Sequence, residues 1–374
     1  MKLFCPLIKK SDFQKIIEIK KFPVFMGTTN KKQYKYLDLK WWINKKTGSV
    51  QIYPKAKLND VYFKSHGSGS IGTVWKKHHF QFFNFIKKYL VGNICELGGG
   101  SNSIIHQIDN YKKIINFFVF DKNFSLEIKN RKIKVIKKFY EEKLISENIK
   151  FNLFVHSHTF EHLYDPLKVL NSINRKLYIG GYHAFSIPNM KGMLKNKIAS
   201  VMNFEHPYYY DEDLVETLLN QCGFKILRKK YFLKSHSIFY LTKKTNKKYK
   251  VNSYSKYEVN KRMFENYKNY WTKNAKNYNE KLKKLKNKDI YLFGAHIFSQ
   301  MLLFNGLNSK LIKCILDNDI NKHDERLYGT DLIVREPNII CNLKDPVVIL
   351  KAGEYNREIK SQLKKINQNV RIIL

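Results

Sequence analysis

Through the middle of this chain, short apolar runs alternate with stretches of helical spacing. From Trp75 to Tyr89 the string WKKHHFQFFNFIKKY returns apolar side chains every third or fourth position and predicts a helix. After it, NICELG predicts a short buried strand, NSIIHQI a helix, NFFVFD, IKVIKKF and FNLFVHSH three strands, PLKVLNSINRKL a helix and GYHAFSIP a fifth strand. Strands alternating with helices over about 110 residues indicate a parallel, doubly wound sheet. DEDLVETLLNQCGF follows as an amphipathic helix with an acidic first turn and a glycine stop, and FKILRKKYFLK and HSIFYLTKK as two more strands.

The flanks differ. Residues 1–74 predict short strands and loops around the aromatic cluster Tyr34 to Trp42, closing in a flexible Gly/Ser turn from Ser65 to Thr73. Residues 246–288 carry little strand pattern; Tyr254, Tyr257, Phe264, Tyr267, Tyr270 and Trp271 predict a linker with one long helix. A second α/β pattern begins at Asp289: DIYLFG, LIKCILDND and VVIL as strands, AHIFSQMLLFNG and NREIKSQLKKIN as helices. The organisation expected is a substrate-side region at 1–74, a central domain at 75–245, a helical linker at 246–288 and a second α/β domain at 289–374.

Composition narrows the class. A chain of 374 residues with 43% hydrophobic and 14% aromatic content is globular over most of its length. It has no uncharged apolar run of membrane-spanning length, and Lys9 and Lys10 interrupt the N-terminal apolar start, so neither a spanning helix nor a signal peptide is expected. Five scattered cysteines (Cys5, Cys95, Cys222, Cys314, Cys341) suit a reducing cytoplasm better than a disulfide framework. The net charge of +38 invites a nucleic-acid reading, but only eight of the 69 basic residues are arginine and the lysines are spread along the chain. Nucleic acid is therefore not the expected partner; attraction to anionic small molecules is.

The densest chemical signal is Cys95-Glu96-Leu97-Gly98-Gly99-Gly100-Ser101-Asn102, a strand-to-helix turn. Glycines there let backbone approach a ligand with no Cβ in the way. The next strand ends in Phe118-Val119-Phe120-Asp121, which sets a carboxylate at the edge of the sheet where it can accept both hydroxyls of an adenosine ribose. The turn lacks the dinucleotide glycine spacing and reads E-x-G-G-G. That pattern resembles the first motif of class I S-adenosylmethionine-dependent methyltransferases. The resemblance extends through Ser157, His158, Phe160-Glu161-His162, Asp165-Pro166, Gly180-Gly181 and Pro188-Asn189, and through the block from Phe204 to Phe224.

The resemblance implies an α/β fold: a Rossmann-like class I methyltransferase domain with a small N-terminal region and a second, C-terminal Rossmann-like α/β domain. It implies S-adenosyl-L-methionine as cofactor, held by Glu96, Gly98, Gly99, Gly100, Asp121, Ser157 and His158, with Glu161-His162 opening a helix beneath it. The whole chain is similar to the sugar C-methyltransferases of nucleotide-linked deoxysugars, through Trp75-x-x-His78, Phe204-Glu205-His206, and YLFGAHIFSQMLL and ILDNDINKHDERLYGTDLIV in the C-terminal part. That similarity implies methylation of a sugar or nucleotide-linked sugar for a surface glycan. It assigns the catalytic positions to His206, with Glu205 and Tyr62 beside it and Tyr208 or Tyr210 as possible assistants.

Departures bear on this. The family's N-terminal zinc module wants two CxxC pairs; here only Cys5 remains, so no metal is expected. Asn203 and Phe204 replace a Tyr and a His of the base segment, and His206 stays divided between a catalytic and a packing role. Only Gly294 remains of a C-terminal glycine-rich loop, which favours a docking surface for nucleotide or sugar over a second cofactor. An RNA or small-metabolite acceptor, and a non-catalytic binding protein on the same fold, are the alternatives.

Overall fold

The computed structural model describes residues 3, 5–7, 12–62, 64, 72–100, 103–108, 112–124, 127–245, 255–285 and 287–374. The N-terminal part opens with β1 (Phe13–Pro23), β2 (Thr28–Thr29), β3 (Tyr36–Asn44), β4 (Val50–Ile52) and the single turn α1 (Leu58–Val61). β1 and β3 pair antiparallel over nearly their full length, and β4 adds to β3. This region is more regular than expected: alternation in FQKIIEIKK and YLDLKWWIN buries Ile17, Ile19, Leu39, Trp41 and Ile43 on one face. Most of the Ser65–Thr73 turn lies outside the described residues.

Next come α2 (Thr73–Ile86), β5 (Gly92–Leu97), β6 (Ile114–Phe120), β7 (Ile133–Ile136), β8 (Phe151–Ser157), α3 (Pro166–Lys176), β9 (Leu177–Pro188), α4 (Met190–Lys195), α5 (Glu212–Gln221), β10 (Phe224–Phe232) and β11 (Ser237–Lys244). Their strands lie in the order β10-β11-β9-β8-β5-β6-β7. Pairing is parallel from β7 to β9, and β11 runs antiparallel between β9 and β10. β6, β8 and β9 are apolar on both faces, as strands covered on both sides must be. Asp165 caps α3, its carboxylate accepting from the Lys168 amide at 3.0 Å, and Asp211 caps α5 in the same way at 2.9 Å.

One expected element is absent. NSIIHQI forms a single 3-10 turn, Ile104–Gln107, where a helix was expected. Two adjacent β-branched isoleucines disfavour helix, and both are buried, pinned against the sheet.

The expected long helix is α6 (Tyr257–Lys283), of 27 residues. Beyond it β12 (Ile290–Phe293), α7 (Ile297–Phe304), β13 (Cys314–Leu316), β14 (Arg326–Leu327), β15 (Val334–Arg335), β16 (Val347–Leu350), α8 (Asn356–Ile366) and β17 (Arg371–Ile373) complete the chain. A parallel sheet in the order β15-β13-β12-β16-β17 forms there, while β14 pairs with β2 of the N-terminal part. Thus the chain is mixed α/β, with a Rossmann-like central sheet and a second, C-terminal domain. No helix among the described residues is long and apolar enough to cross a membrane.

α6 stitches these parts together. Its buried stripe of Phe264, Tyr267, Trp271, Ala275, Tyr278 and Leu282 recurs at helical spacing. Asn260 donates to the Gly48 carbonyl at 2.9 Å, Tyr267 to the Ile198 carbonyl at 3.0 Å, and Asn279 to the Gly306 carbonyl at 2.7 Å. Those three bonds reach the N-terminal sheet, the central domain and the C-terminal domain in turn. Because Trp271 is 1% exposed at the centre of that stripe, Trp271→Ala is expected to cost about 3–5 kcal/mol. Urea unfolding followed by circular dichroism measures it; a midpoint equal to that of the wild type would contradict the bracing role of α6.

Candidate active site

The strand order reverses between β5 and β8, so a crevice opens at their carboxyl ends, the place where open α/β sheets bind ligands. Gly98 turns the chain there with φ +69°, and a Cβ on it would stand 2.5 Å from the Thr159 hydroxyl oxygen. Thr159 cannot move aside cheaply, because that hydroxyl donates to the Leu97 carbonyl at 3.1 Å. Gly100 also has positive φ, and its missing Cβ would sit 3.4 Å from Asp121. The glycine turn is thus pressed between the ends of β6 and β8.

Glu96 fastens this turn from inside. Its carboxylate accepts from the Ser103 hydroxyl and, at 3.0 Å, from the Ile104 amide. Burial raises its pKa to about 7. Asp121 accepts from the Asn123 amide at 2.7 Å, and burial raises its pKa above the usual range. Ser157 ends β8 with its hydroxyl buried and without a hydrogen-bond partner.

His158, at φ +51°, turns its side chain away from the glycine turn. Its Nδ1 lies 3.1 Å from a Glu161 oxygen and its Nε2 2.8 Å from the Ser237 hydroxyl. The ring joins Trp75, His78 and His236 in an aromatic cluster with centroid separations of 4.8 Å to Trp75 and 5.1 Å to His78. What His158 offers the crevice is backbone.

A second group adjoins through Glu161. His162 lies with its ring 5.1 Å from that of His206, and its Nδ1 is 3.1 Å from the Glu205 carbonyl oxygen. A Glu205 carboxylate oxygen stands 3.9 Å from the same nitrogen. Tyr62 packs edge-on against His162 at 6.0 Å, its hydroxyl buried and unpartnered. Burial depresses the His206 pKa to about 3, raises that of Glu161 to about 7 and pushes Tyr62 well above the normal tyrosine value. Asn203 organises the segment by accepting from the Glu205 amide at 2.7 Å and the His206 amide at 3.2 Å.

The structure therefore brings Glu205, His206 and Tyr62 together, and sets Gly98, Gly99, Gly100, Asp121 and Ser157 around the neighbouring crevice. Tyr208 and Tyr210 are spent elsewhere, one accepting from Lys55 at 3.0 Å and the other donating to the Leu163 carbonyl at 3.1 Å. Sequence reasoning missed the membership of Glu161 and His162, which do not open a helix beneath a cofactor but form a 3-10 turn beside His206. It also missed His236, for which the sequence offers no motif; the Trp75-x-x-His78 pattern was the visible trace of its partners.

In the C-terminal domain, Gly294 ends β12 with φ +102°. The carboxylate of Asp317, which follows β13, accepts from the Ala295 amide at 2.7 Å and the Asp319 amide at 2.9 Å. That carboxylate, where a dinucleotide ribose would dock, is consumed by the chain itself. At the carboxyl ends of β12 and β16, facing the central domain, lies a cavity of about 300 Å³. Asn196, Lys197 and Ser235 line it from one side, Lys351 and Asn356 from the other, with Tyr270 of α6 between.

Comparison with known families places these features. Residues 76–229 match the family described as methyltransferase domain, and residues 237–374 match the C-methyltransferase C-terminal domain. No curated protein matches the chain. Solved structures similar to parts of it include the N-methyltransferase NodS from Bradyrhizobium japonicum WM9, at 11% identity and TM-score 0.34, covering 47% of this chain and 99% of that one. An S-adenosylmethionine-dependent methyltransferase from Mesorhizobium loti shares 11% identity at TM-score 0.37, covering 46% and 99%. Another, from Clostridium acetobutylicum ATCC 824, shares 14% identity at TM-score 0.34, covering 46% and 92%.

The Glu96 fastening has a pH signature. Unfolded, the group titrates near 4.5, and folded near 7, so the folded state holds a proton over that interval which the unfolded chain has lost. Its contribution to stability is full below pH 4.5 and is lost as pH rises through 7. Glu96→Gln, which mimics the protonated acid, is expected to match the wild type at low pH and to exceed it in melting temperature above neutrality. Thermal melts across that range check this; parallel curves would contradict it.

Proposed function

Taking the chain as a class I S-adenosylmethionine-dependent methyltransferase that resembles the C-methyltransferases, we propose that it methylates a sugar carried on a nucleotide. The acceptor's nucleotide lies in the cavity between the central and C-terminal domains, and its sugar reaches toward Glu205 and His206. The observation that carries this reading is the cavity itself. Its two lysines, Lys197 and Lys351, suit a diphosphate; Asn196, Asn356 and Ser235 suit hydroxyls; Tyr270 offers an aromatic face. The family of the C-terminal domain supports a carbon as the methylated atom.

The residues of the crevice fit the cofactor. The glycine turn leaves backbone bare of Cβ atoms where a ligand must pass closely, and Asp121 stands just after β6 to accept ribose hydroxyls. The orphan Ser157 hydroxyl is a buried donor awaiting an acceptor. When bound, S-adenosylmethionine supplies a methyl group on a sulfonium, an electrophile that needs no activation.

What remains for the chain is alignment and proton removal. His206 is buried and neutral, so taking a proton places a cation in a site that penalises it. The neighbouring Glu205 offsets that cost as an opposite charge. At a ketone-bearing sugar, the pair withdraws the proton next to the carbonyl while the Tyr62 hydroxyl donates to the oxygen that gains charge. Tyr62 suits this role because burial keeps it protonated.

Incubation with methyl-labelled S-adenosylmethionine and a panel of nucleotide-linked sugars, read by mass spectrometry, is expected to put the label on a sugar. Label on RNA, or none on any sugar, would overturn the acceptor assignment. His206→Ala is expected to lower turnover at least about a hundredfold with calorimetric cofactor affinity unchanged; wild-type turnover would leave His206 a packing residue. Asp121→Ala should do the reverse in binding, weakening the cofactor about tenfold with an intact fold, and an unchanged dissociation constant would remove Asp121 from the ribose site.

A further inference from the structure

We propose that His78, His158 and His236 form a binding site for one divalent transition-metal ion of the zinc type. The three come from α2, the end of β8 and the turn between β10 and β11, and one nitrogen from each lies within 4.8 Å of the others. Three points 4.8 Å apart stand about 2.8 Å from their centre, so a closing movement below an ångström brings each nitrogen to the 2.0–2.1 Å that zinc requires. Imidazole is a ligand such ions favour.

The surroundings match what holds metal-binding histidines in place. A ligating imidazole gives its other N–H to a carboxylate or another oxygen, which fixes both tautomer and ring orientation. Each of these rings has such a partner. His158 Nδ1 faces Glu161 at 3.1 Å, His78 Nε2 faces the Ser186 hydroxyl at 2.8 Å, and His236 Nδ1 faces the Ser237 hydroxyl at 2.6 Å. The Ser237 hydroxyl also lies 2.8 Å from His158 Nε2, and it has to turn aside from that nitrogen for a cation to bind there.

His78 supplies the independent sign of a missing ligand. The residue is fully buried, and its Nδ1 has no hydrogen-bond partner. A buried ring nitrogen left so is costly unless something satisfies it. Trp75, with ring centroids 4.8 Å from both His158 and His236, shields one side from water.

Three imidazoles leave a coordination position for an oxygen atom. The expectation of no metal in this chain rests on the missing cysteines of its N-terminal part, which these histidines do not touch. Glu161, His162 and His206 also bring ligand-type atoms within 4.8 Å of one another, and they are the competing location. His206 there has its own backbone partner in the Val201 carbonyl, and one oxygen of Glu161 already faces His158 at 3.1 Å.

Zinc titrated into metal-stripped full-length protein, followed by calorimetry and by metal analysis after dialysis, tests this without any methyl transfer. One zinc per chain is expected in the wild type. His78→Ala and His236→Ala should each weaken it at least a hundredfold, Ser237→Ala about tenfold, and His206→Ala should leave it unchanged. Circular dichroism of the metal-free variants checks their folding, and the partly buried His236 provides a variant that does not hollow the core. The proposal is overturned by a wild type that binds no zinc, or by zinc that is lost in His206→Ala and kept in His236→Ala. Either result leaves the methyltransferase reading standing.

Discussion

The carboxyl ends of β5 and β8 approach so closely that the chain between them has no room for a side chain. A Cβ at Gly98 would overlap the Thr159 hydroxyl at 2.5 Å, and that hydroxyl is held by the Leu97 carbonyl. From this one contact the rest of the chemistry follows. It presses the glycine turn against Asp121 on one side, and it delivers Ser157, His158 and Glu161 to the other. Glu96 then closes the turn by satisfying Ser103 and Ile104 beneath it. The crevice is a consequence of backbone packing at a reversal of strand order, and its charged groups are arranged around that constraint.

The second organising element is α6. In a protein a helix takes most of its stability from burying an apolar face, and in this 27-residue helix that face is an aromatic stripe. It lies against the N-terminal sheet, the Ile198–Ala199 backbone and the end of α7, and so fixes the distance between the two α/β domains. Tyr270 of α6 lines the same cavity as Lys197 and Lys351. In the C-terminal domain, Asp317 caps its own chain, which takes up the carboxylate a dinucleotide would need.

Much of this was legible in the sequence, and the failures have physical causes. Strand–helix alternation identified the central sheet, because strands covered on both faces read as unbroken apolar runs. α6 was legible because six buried side chains recur at helical spacing. NSIIHQI misled because an apolar run with helical spacing does not reveal that adjacent isoleucines are pinned to a sheet by a tight turn. The N-terminal strands looked short because lysines interrupt FQKIIEIKK, although those lysines only mark its solvent face. The histidine cluster was the least legible. His78, His158 and His236 meet only once three elements have packed, and no spacing in the chain announces it. Glu161 and His162 resembled a helix start, and only the fold shows them facing His206.

The site's halves differ in character. Around Gly98 the ligand surface is backbone and one carboxylate; around Glu205 and His206 it is buried and titratable. A methyl donor suits the first and an acceptor that must lose a proton suits the second, provided that both face one open crevice. The direct measurement is a crystal structure of the protein with S-adenosylhomocysteine. The ligand should lie against Gly98–Gly100 with its ribose on Asp121 and its sulfur directed toward the Glu205–His206 side. A crevice filled by protein, or the ligand bound elsewhere, would contradict the assignment.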